Sequence, residues 1–386
     1  MNNKLKIAYI GQKGIENVVG GVETHVRELA IRSAQAGFDT TVYVRPYTQK
    51  EKEKYVEGVR ARKLLSLRTK HFDAITHVFL STWHAIFSKA DIIHYHGVGP
   101  SLLSFLPRIF RPSAITVVTF HSIDRQHTKW NAVARFFLRM GEWTACRFPH
   151  ITIAVSKNIA EYCEKHYRKK PIVIPNGITD PIYREADSIK QKFGLEKEKY
   201  LLVLSRLVQH KNIHLIIEAF KNINAEVKLA IVGGGAFTDN YVRSLKELAH
   251  SDRRIVFTGE CRGKVLQELI SNSLFYVNAS NSEGCPTTAL EVMSYGKMVL
   301  MSDLKVNQEV VGNLGRYFRH EDPSDLKGAM EWLIAHKEKI YEKQKNLSGY
   351  ALGNYHWDTL APAVFNVYRN FYRNGLALAS AYQLKD

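Results

Sequence analysis

Short apolar runs alternate with longer amphipathic stretches along almost the whole chain, and this alternation restricts the fold more than any other feature. The short runs are rich in β-branched residues, as expected of strands that are buried on both faces. Strands that alternate with helices form parallel sheets with helices packed on both sides. Two such series follow one another, so the sequence predicts two Rossmann-like, doubly wound α/β domains that face a cleft, and a C-terminal helix that returns to the first domain.

The boundary between the two domains is expected near Pro175-Asn176-Gly177, where turn-forming residues end the first series. We therefore expect domains at residues 1–178 and 179–356, with residues 357–386 forming the C-terminal helix. The predicted strands are Lys6–Ile10, Thr40–Val44, Ile92–Tyr95, Ala114–Phe120, Ile151–Val155, Ile172–Ile174, Tyr200–Ser205, Lys228–Val232, Ile255–Phe257, Leu274–Asn278 and Met298–Met301. The predicted helices are Val22–Ala36, Trp130–Arg147, Lys157–His166, His214–Phe220, Val242–His250, Lys264–Ser271, Thr287–Tyr295, Asp325–Glu338 and Trp357–Tyr372.

Composition excludes several other classes of protein. A chain of 386 residues with 45% hydrophobic and 24% charged residues is globular, not disordered or fibrous. Its four cysteines are scattered without a C-x-x-C pair, which argues against a disulfide framework or a zinc site and suits a reducing, cytoplasmic compartment. No apolar run reaches the roughly 18 residues of a membrane span. The glycine-rich sequence that follows Ile10 indicates a first strand and not a signal peptide.

The positive charge is concentrated in the first half of the chain. The net charge is +17, and residues 1–178 carry 27 basic and 13 acidic side chains, a net of +14. Such a half is expected to face something anionic, either nucleic acid or the inner leaflet of a membrane. Because no basic tract or nucleic-acid-binding signature is present, we expect no nucleic acid. Arg60–Lys70 and Leu102–Arg111 could contact a membrane, or could be solvated or core-facing helices.

Three motifs follow predicted strands, where ligands bind in parallel sheets. The first is Gly20-Gly21, at the start of a predicted helix. Adjacent glycines let a ligand approach the backbone closely, and the helix start favours a phosphate. The spacing does not match the G-x-G-x-x-G of dinucleotide-binding folds, which counts against a dehydrogenase.

The second motif places Arg206 and Lys211 five residues apart after the strand that ends near Ser205. A planar guanidinium and a movable ammonium can hold one diphosphate from two sides. Standing alone, the pair could equally be two solvated side chains in a loop.

The third motif runs from Glu283 to Glu291 and includes Gly284, Cys285, Pro286, Thr287 and Thr288. Proline is favoured in the first turn of a helix, so we expect a helix to begin here with its amides directed at an anion. One carboxylate could then face a sugar while the other binds a ribose diol.

Together with Pro175-Asn176-Gly177 and Val232-Gly233-Gly234-Gly235, these motifs resemble those of the retaining GT-B glycosyltransferases of family 4. Two further stretches, Gly20–Ala30 and His94–Pro100, resemble a bacterial subgroup that builds surface polysaccharides. The resemblance covers nearly the whole chain in the same order. It implies a hexosyltransferase that uses an NDP-sugar held mainly by the second domain. Arg206 and Lys211 would bind the diphosphate, Glu291 the ribose, Glu283 the sugar and Gly21, across the cleft, the distal phosphate. His121, at the end of a first-domain strand, matches the family's active-site histidine.

The same resemblance implies a metal-independent enzyme with no cofactor, and the sequence contains no D-x-D metal motif. His94 and His96 alternate along a strand end, so we expect at most one of them to face a ligand, and we expect no metal site. The acceptor would be a glycan or a polyprenyl-diphosphate-linked sugar. A GT-B nucleotide-sugar epimerase and a non-catalytic sugar-nucleotide-binding protein are the alternatives.

Overall fold

The computed structural model describes residues 4–16, 20–69, 72–126, 132–235 and 238–383, and for residue 126 and residues 374–383 it describes the backbone only. The chain divides into two compact units. The first comprises residues 1–177 and 357–386, and the second comprises residues 178–356. The limit between residues 177 and 178 lies one residue before the expected one, and the limit between residues 356 and 357 is at the expected position.

The first unit contains an eight-stranded sheet of order β3-β4-β2-β1-β5-β6-β7-β8, parallel except for β3. Its strands are β1 (Lys6–Ile10), β2 (Asp39–Val44), β3 (Glu53–Val56), β4 (Val59–Lys63), β5 (Ile92–His96), β6 (Ile115–Phe120), β7 (Ile151–Ala154) and β8 (Ile172–Val173). Its helices are α1 (Gly21–Gln35), α2 (Phe72–Phe87), α3 (Val98–Ser101), α4 (Leu106–Phe110), α5 (Ala132–Arg147), α6 (Lys157–Tyr167) and, in numbering that continues through the second unit, α15 (Trp357–Gln383).

The second unit contains a fully parallel six-stranded sheet of order β11-β10-β9-β12-β13-β14. Its strands are β9 (Tyr200–Leu204), β10 (Lys228–Val232), β11 (Ile255–Gly259), β12 (Phe275–Asn278), β13 (Met298–Ser302) and β14 (Arg316–Phe318). Its helices are α7 (Ser188–Phe193), α8 (Ile213–Lys221), α9 (Asp239–Ala249), α10 (Gly263–Ser271), α11 (Thr287–Ser294), α12 (Lys305–Val311), α13 (Pro323–Ala335) and α14 (Lys337–Tyr355). Short 3-10 helices occur at Asp124–Gln126, Gln209–Lys211 and Gly312–Leu314.

The C-terminal helix completes the core of the first unit. Trp357 and Phe365 on α15 are buried in the same apolar cluster as Val26 of α1 and Ile92 of β5. A Cβ added to Gly177 would collide with the Trp357 indole ring, so glycine is required where the chain leaves the first unit. This packing places the end of the sequence against its beginning, as the sequence predicts.

Several elements were not predicted from the sequence. The β3–β4 hairpin turns at Glu57 and Gly58, which both have positive φ, so the first part of the stretch 60–70 is a strand and not a helix. Arg60 and Arg62 of this strand form ion pairs with Glu53. Helices α2, α12 and α14 and strand β14 were also missed. The predicted helix Trp130–Arg147 is observed from Ala132, and Trp130 lies outside the described residues.

No helix among the described residues combines the length and the apolarity that a bilayer span requires.

Candidate active site

In the second unit, the loops after β9 and β12 carry the predicted donor-binding residues. Strand β9 has β10 on one side and β12 on the other, so the order of the strands reverses between β9 and β12. In open parallel sheets, this reversal opens a crevice at the carboxyl ends of the strands. A backbone hydrogen bond from the Asn281 amide to the His210 carbonyl, 3.0 Å long, joins the two loops.

The loop after β9 is held close to the sheet. Gly233, with φ of +141°, lies so near the Ser205 carbonyl that a Cβ would collide with it. The Leu207 amide donates to the Gly234 carbonyl at 2.8 Å. The short 3-10 helix that follows ends at Lys211, so the backbone position of this lysine is fixed by the packing of the loop against the sheet.

Lys211 and Glu283 form an ion pair between the two loops. The Lys211 Nζ lies 2.6 Å from Glu283 Oε1, which also accepts a hydrogen bond of 3.3 Å from Asn278 Nδ2. Both side chains of the pair are largely buried. Burial alone would raise the pKa of Glu283, but the Lys211 charge and hydrogen bonds outweigh it and hold this pKa below its ordinary value. Glu283 is therefore ionised at neutral pH.

Arg206 is exposed, in contrast to Lys211. Among the described residues its guanidinium has no hydrogen bond or ion pair, and it stands two residues after the end of β9. Its five N–H donors are therefore available to an anionic ligand.

The residues between Glu283 and α11 are well packed. Gly284, Cys285 and Pro286 are buried, and Thr287 and Thr288 are half-buried in the first helical turn. Pro286 is the residue before the helix, which begins at Thr287 as predicted. The Thr287 amide donates to the Cys285 carbonyl at 2.8 Å, which occupies one of the amides that were expected to face an anion.

Glu291 is placed one turn further along α11, on the half-buried side of the helix. Burial raises the pKa of Glu291 to about 7, so its carboxyl group is partly protonated at neutral pH. The charges of both Glu283 and Glu291 raise the pKa of Tyr276, although burial is the larger cause. Tyr276 belongs to β12, the strand after which Glu283 and Glu291 follow along the chain.

In the first unit, α1 begins at Gly21 and Gly20 is the residue before it, with φ of +152°. No heavy atom would lie within 4 Å of a Cβ added to Gly21, so the backbone is open there. At Gly20 a Cβ would collide with the Glu23 carboxylate, which folds back over the start of the helix. An anion at this helix start would have to displace that carboxylate.

His121 belongs to a cluster of buried histidines beyond β5 and β6. The His121 Nε2 lies 3.2 Å from His96 Nδ1, and the His25 ring of α1 packs edge-on against His121 with centroids 4.7 Å apart. Burial lowers the pKa of His25 to about 4, and burial together with neighbouring histidines holds the pKa values of His96 and His121 well below the ordinary value. All three rings are therefore neutral at pH 7.

His94 and His96 lie on the same face of β5, with ring centroids 4.1 Å apart. The expectation that at most one of them would face a ligand rested on their alternation, yet residues two apart on a strand point to the same side. Both are buried. The two ring nitrogens of His94 are bonded to Tyr368 and Thr119, so this histidine is packed within the unit.

His25, His96 and His121 could together bind a metal ion, because each offers a ring nitrogen and these atoms lie within 4.8 Å of one another. Neutral imidazoles are common ligands of transition metals. No metal site was expected here, because the sequence spacing of the three residues gives no metal motif. His25 and Asn278 were both missed as site residues, although a histidine four residues after Gly21 and a polar residue ending an apolar strand are visible signals.

Comparison with known proteins identifies the class. The family model described as "Glycosyltransferase Family 4" matches residues 19–180, and the model "Glycosyl transferases group 1" matches residues 185–352. One match therefore covers most of the first sheet and the other most of the second unit. The chain is a glycosyltransferase with the GT-B fold, and it belongs to the family-4 type.

Relatives and solved structures agree with this class. The uncharacterised glycosyltransferase MJ1607 of Methanocaldococcus jannaschii is 24% identical over 95% of this chain and 98% of its own length. A diacetylbacillosaminyl-diphospho-undecaprenol N-acetylgalactosaminyltransferase of Campylobacter jejuni is 24% identical over 63% of this chain and 66% of its own length. Sucrose-phosphate synthase of Thermosynechococcus elongatus has a similar fold, with a TM-score of 0.84 at 18% identity over 96% of this chain and all of its own. Anabaena HepE, solved with UDP-glucose, has a TM-score of 0.78 at 16% identity, covering 95% of this chain and all of its own.

Proposed function

We propose that this glycosyltransferase is a retaining, metal-independent hexosyltransferase that moves a sugar from an NDP-sugar to a glycan or a polyprenyl-diphosphate-linked acceptor in cell-surface polysaccharide synthesis. The observation that carries the proposal is the Lys211–Glu283 pair, 2.6 Å long, at the point of the second sheet where the strand order reverses. It joins a cation suited to a phosphate with a carboxylate suited to sugar hydroxyls.

The proposed role of Arg206 and Lys211 is to bind the diphosphate of the donor. Negative charge grows on the leaving phosphate as the bond to the anomeric carbon breaks, and preorganised cations stabilise that charge. Lys211 is held in place by Glu283 before a donor arrives, so little reorganisation is needed. Two cations make a metal unnecessary in this proposal, and the nucleotide sugar is a substrate, so no cofactor is proposed.

Glu283 is proposed to accept hydrogen bonds from the donor sugar. Its lowered pKa keeps it ionised, which suits an acceptor of hydroxyl donors. Retention of the anomeric configuration is assigned to attack on the same face as the departing phosphate, which takes the acceptor proton. Double displacement with Glu283 as nucleophile is the competing mechanism, and a trapped glycosyl-Glu283 adduct would establish it.

Glu291 is proposed to bind the ribose of the donor. Glu291 follows the same strand, β12, as Glu283 does, and its raised pKa means that ribose hydroxyls would bind best once the proton has left. Gly284 to Thr288, including the α11 start, complete the proposed donor-binding segment. The roles expected of Gly20, Gly21 and His121 toward the donor stay predictions, because these residues belong to the first unit.

The acceptor is proposed to bind the first unit, at the inner face of the plasma membrane. The net charge of +14 in residues 1–178 would attract an anionic membrane surface and a diphosphate-linked acceptor. The Campylobacter relative, whose name gives a diphospho-undecaprenol acceptor, supports this choice.

The donor can be found with a thermal-shift panel of UDP-, GDP-, ADP- and dTDP-sugars, beginning with UDP-sugars because HepE was solved with one. A ligand at 100 times its Kd stabilises the folded protein by about 2.7 kcal/mol. A panel that yields no shift and no turnover would contradict the proposal.

With the donor known, Arg206→Ala gives the cleanest test, because that side chain is exposed and its removal should leave the fold intact. Turnover should fall by about 10²- to 10³-fold, as on removing one preorganised donor to a developing charge. Lys211→Ala should lower it at least as much. Lys246→Ala, an exposed lysine on α9, is the matched control and should have no effect. Near-normal turnover in Arg206→Ala and Lys211→Ala would refute the diphosphate site.

A further inference from the structure

The outward side of α2 in the first unit is apolar, which is unusual for a helix on a protein surface. Phe72, Ile75, Phe79 and Phe87 recur at helical spacing and are each between 42% and 76% exposed. The opposite side of the same helix supplies Val78 and Ala85 to the buried interior. The helix is therefore apolar on both sides, so folding of the first unit alone does not explain its outer stripe.

This stripe continues into neighbouring segments. Leu65 and Leu67, both more than 60% exposed, line an open groove of about 710 Å³ together with Ile75, Phe79 and Leu80 of α2. The groove is apolar on nearly all sides. It is large enough to receive part of a lipid chain, and the loop and helix that form it belong to one unit.

Aromatic contacts extend the surface to α4 and α5. The ring centroids of Trp83 on α2 and Phe110 on α4 lie 4.8 Å apart. Further along, Phe105 contacts Phe148, which in turn packs edge-on against Trp143 of α5. The exposed stripe of α5 consists of Val133, Phe136, Phe137, Met140 and Trp143. We call the outer side chains of residues 65–67, α2, α4 and α5 the aromatic face.

The charged groups around the aromatic face are nearly all positive. Arg108 of α4 and Arg135 and Arg139 of α5 are exposed beside the apolar side chains. The segments 64–69, α2, α4 and α5 contain two acidic residues, Asp73 and Glu142. Asp73 is paired with Arg45 at 2.5 Å, and Glu142 is fully buried and paired with Arg125 at 3.0 Å. No free negative charge among these described segments opposes an anionic surface.

This combination selects one kind of partner. Aromatic and aliphatic side chains flanked by arginine bind at the interface of an anionic bilayer, where the rings enter the acyl boundary and the cations meet headgroups. A second copy of this chain would place the arginines of both faces against one another, which like-charge repulsion disfavours. Charge complementarity therefore favours anionic lipid over self-association.

We infer that the aromatic face inserts into the surface of an anionic bilayer and docks the first unit there. The inference rests on the peripheral membrane location in the proposed function and names the surface responsible. It assigns most of the contact to α2, the groove beside it and α5. Of the two stretches expected from the sequence, only residues 65–67 and the end of Leu102–Arg111 belong to the aromatic face, and Lys70 lies outside the described residues.

Vesicle flotation tests the inference with the full-length chain. The protein should float with vesicles of phosphatidylcholine and phosphatidylglycerol, and much less with phosphatidylcholine alone. The double variant Phe79→Glu with Phe87→Glu should weaken vesicle binding at least tenfold, because two carboxylates would enter the acyl boundary. Both positions are exposed, so folding should be unaffected. Ile182→Glu, at an apolar residue of the second unit that is about as exposed as Phe79, is the control and should bind like wild type.

The charge contribution is measured separately. Arg135→Gln with Arg139→Gln should weaken binding severalfold at low salt and reduce its dependence on salt concentration. The corresponding control removes two exposed lysines of the second unit, Lys192→Gln with Lys246→Gln, and should change neither quantity. Equal losses in the two pairs of variants would mean that net charge, and not this face, causes binding.

Two results would overturn the inference: vesicle binding unchanged by Phe79→Glu with Phe87→Glu, or no binding of the wild type to anionic vesicles. Sedimentation that shows a dimer dissociated by the same substitutions would instead make the face a self-association surface. The proposed transfer reaction is judged independently, since donor turnover in vesicle-free buffer depends on Arg206 and Lys211 and should be unchanged in the Phe79 and Phe87 variants. Loss of turnover in Arg206→Ala with retained vesicle binding separates the two proposals.

Discussion

The two units share one sheet architecture but place opposite kinds of chemistry beyond their strand ends. In the second unit an ionised pair, Lys211 and Glu283, stands at the carboxyl ends of β9 and β12. In the first unit the corresponding ends of β5 and β6 carry His96 and His121, which burial keeps neutral. The difference teaches that similar backbones can carry a charged pair at the strand ends of one sheet and an uncharged cluster at those of another.

The largest expected difference between the units is their response to acid. Burial lowers the pKa of seven histidines of the first unit, and the pKa of His25 and of His77 falls to about 4. A histidine in the unfolded chain titrates near pH 6.5. Between pH 6.5 and pH 4, the unfolded state therefore binds protons that the folded state does not bind. The stabilisation that comes from these neutral histidines is therefore fully present above pH 6.5 and is lost as the pH falls toward 4. For His25 alone, the loss of unfolding free energy is about 3 kcal/mol.

Hydrogen exchange followed by mass spectrometry at pH 7, 6 and 5 resolves the two units, after correction for the intrinsic pH dependence of exchange. Peptides of the first unit should lose protection first, and His25→Gln should reduce this dependence because glutamine does not titrate. Earlier loss of protection in the second unit would show that the histidines do not set acid stability.

Removing the C-terminal anchor should affect one unit only. Trp357→Ala deletes an indole that is 2% exposed, which typically costs about 3–5 kcal/mol of unfolding free energy. The loss should appear in the first unit by urea denaturation combined with hydrogen exchange. Trp332→Ala, at a 36% exposed tryptophan of the second unit, is the matched control and should cost less. An equal loss in both units would mean that they unfold together.

The pH dependence of donor affinity tests the proposed role of Glu291 in the second unit. Glu291 has a pKa of about 7, and ribose hydroxyls favour its ionised form. Affinity should be greatest above pH 7 and fall by at most tenfold per unit as the pH decreases below 7. Isothermal titration with the NDP should show this slope in the wild type and lose it in Glu291→Gln. The same slope in both proteins would assign the titration to another group, the phosphate of the nucleotide included.

The smallest expected effect is that of metal removal. If Arg206 and Lys211 supply the positive charge, chelator should change turnover by less than about twofold, since no developing charge would depend on an ion. Metal analysis of the purified protein should find no stoichiometric ion at His25, His96 and His121. Full loss of activity with chelator and recovery on adding a divalent ion would overturn metal independence.

The sequence was enough for most of the fold. Strands β1 and β10 have the predicted ends, because continuous apolar runs bounded by polar or glycine residues leave little choice of register. The β3–β4 hairpin was missed because its two strands are short and strongly charged, although Glu57-Gly58 is a turn signal. Helix α2 was missed because its apolar outer side hides the amphipathic period on which prediction depends.

The sequence alone determined where the motifs between Gly20 and Glu291 lie in their sheets, because a loop that follows a strand is always at the carboxyl edge of a parallel sheet. Only the tertiary structure decided which side chains meet. It paired Lys211 with Glu283, placed Glu23 over the helix start at Gly20, and gathered histidines separated by up to 96 positions into one neutral cluster. The physical reason is that charge state depends on burial and on neighbours in space, and neither can be derived from spacing along a chain.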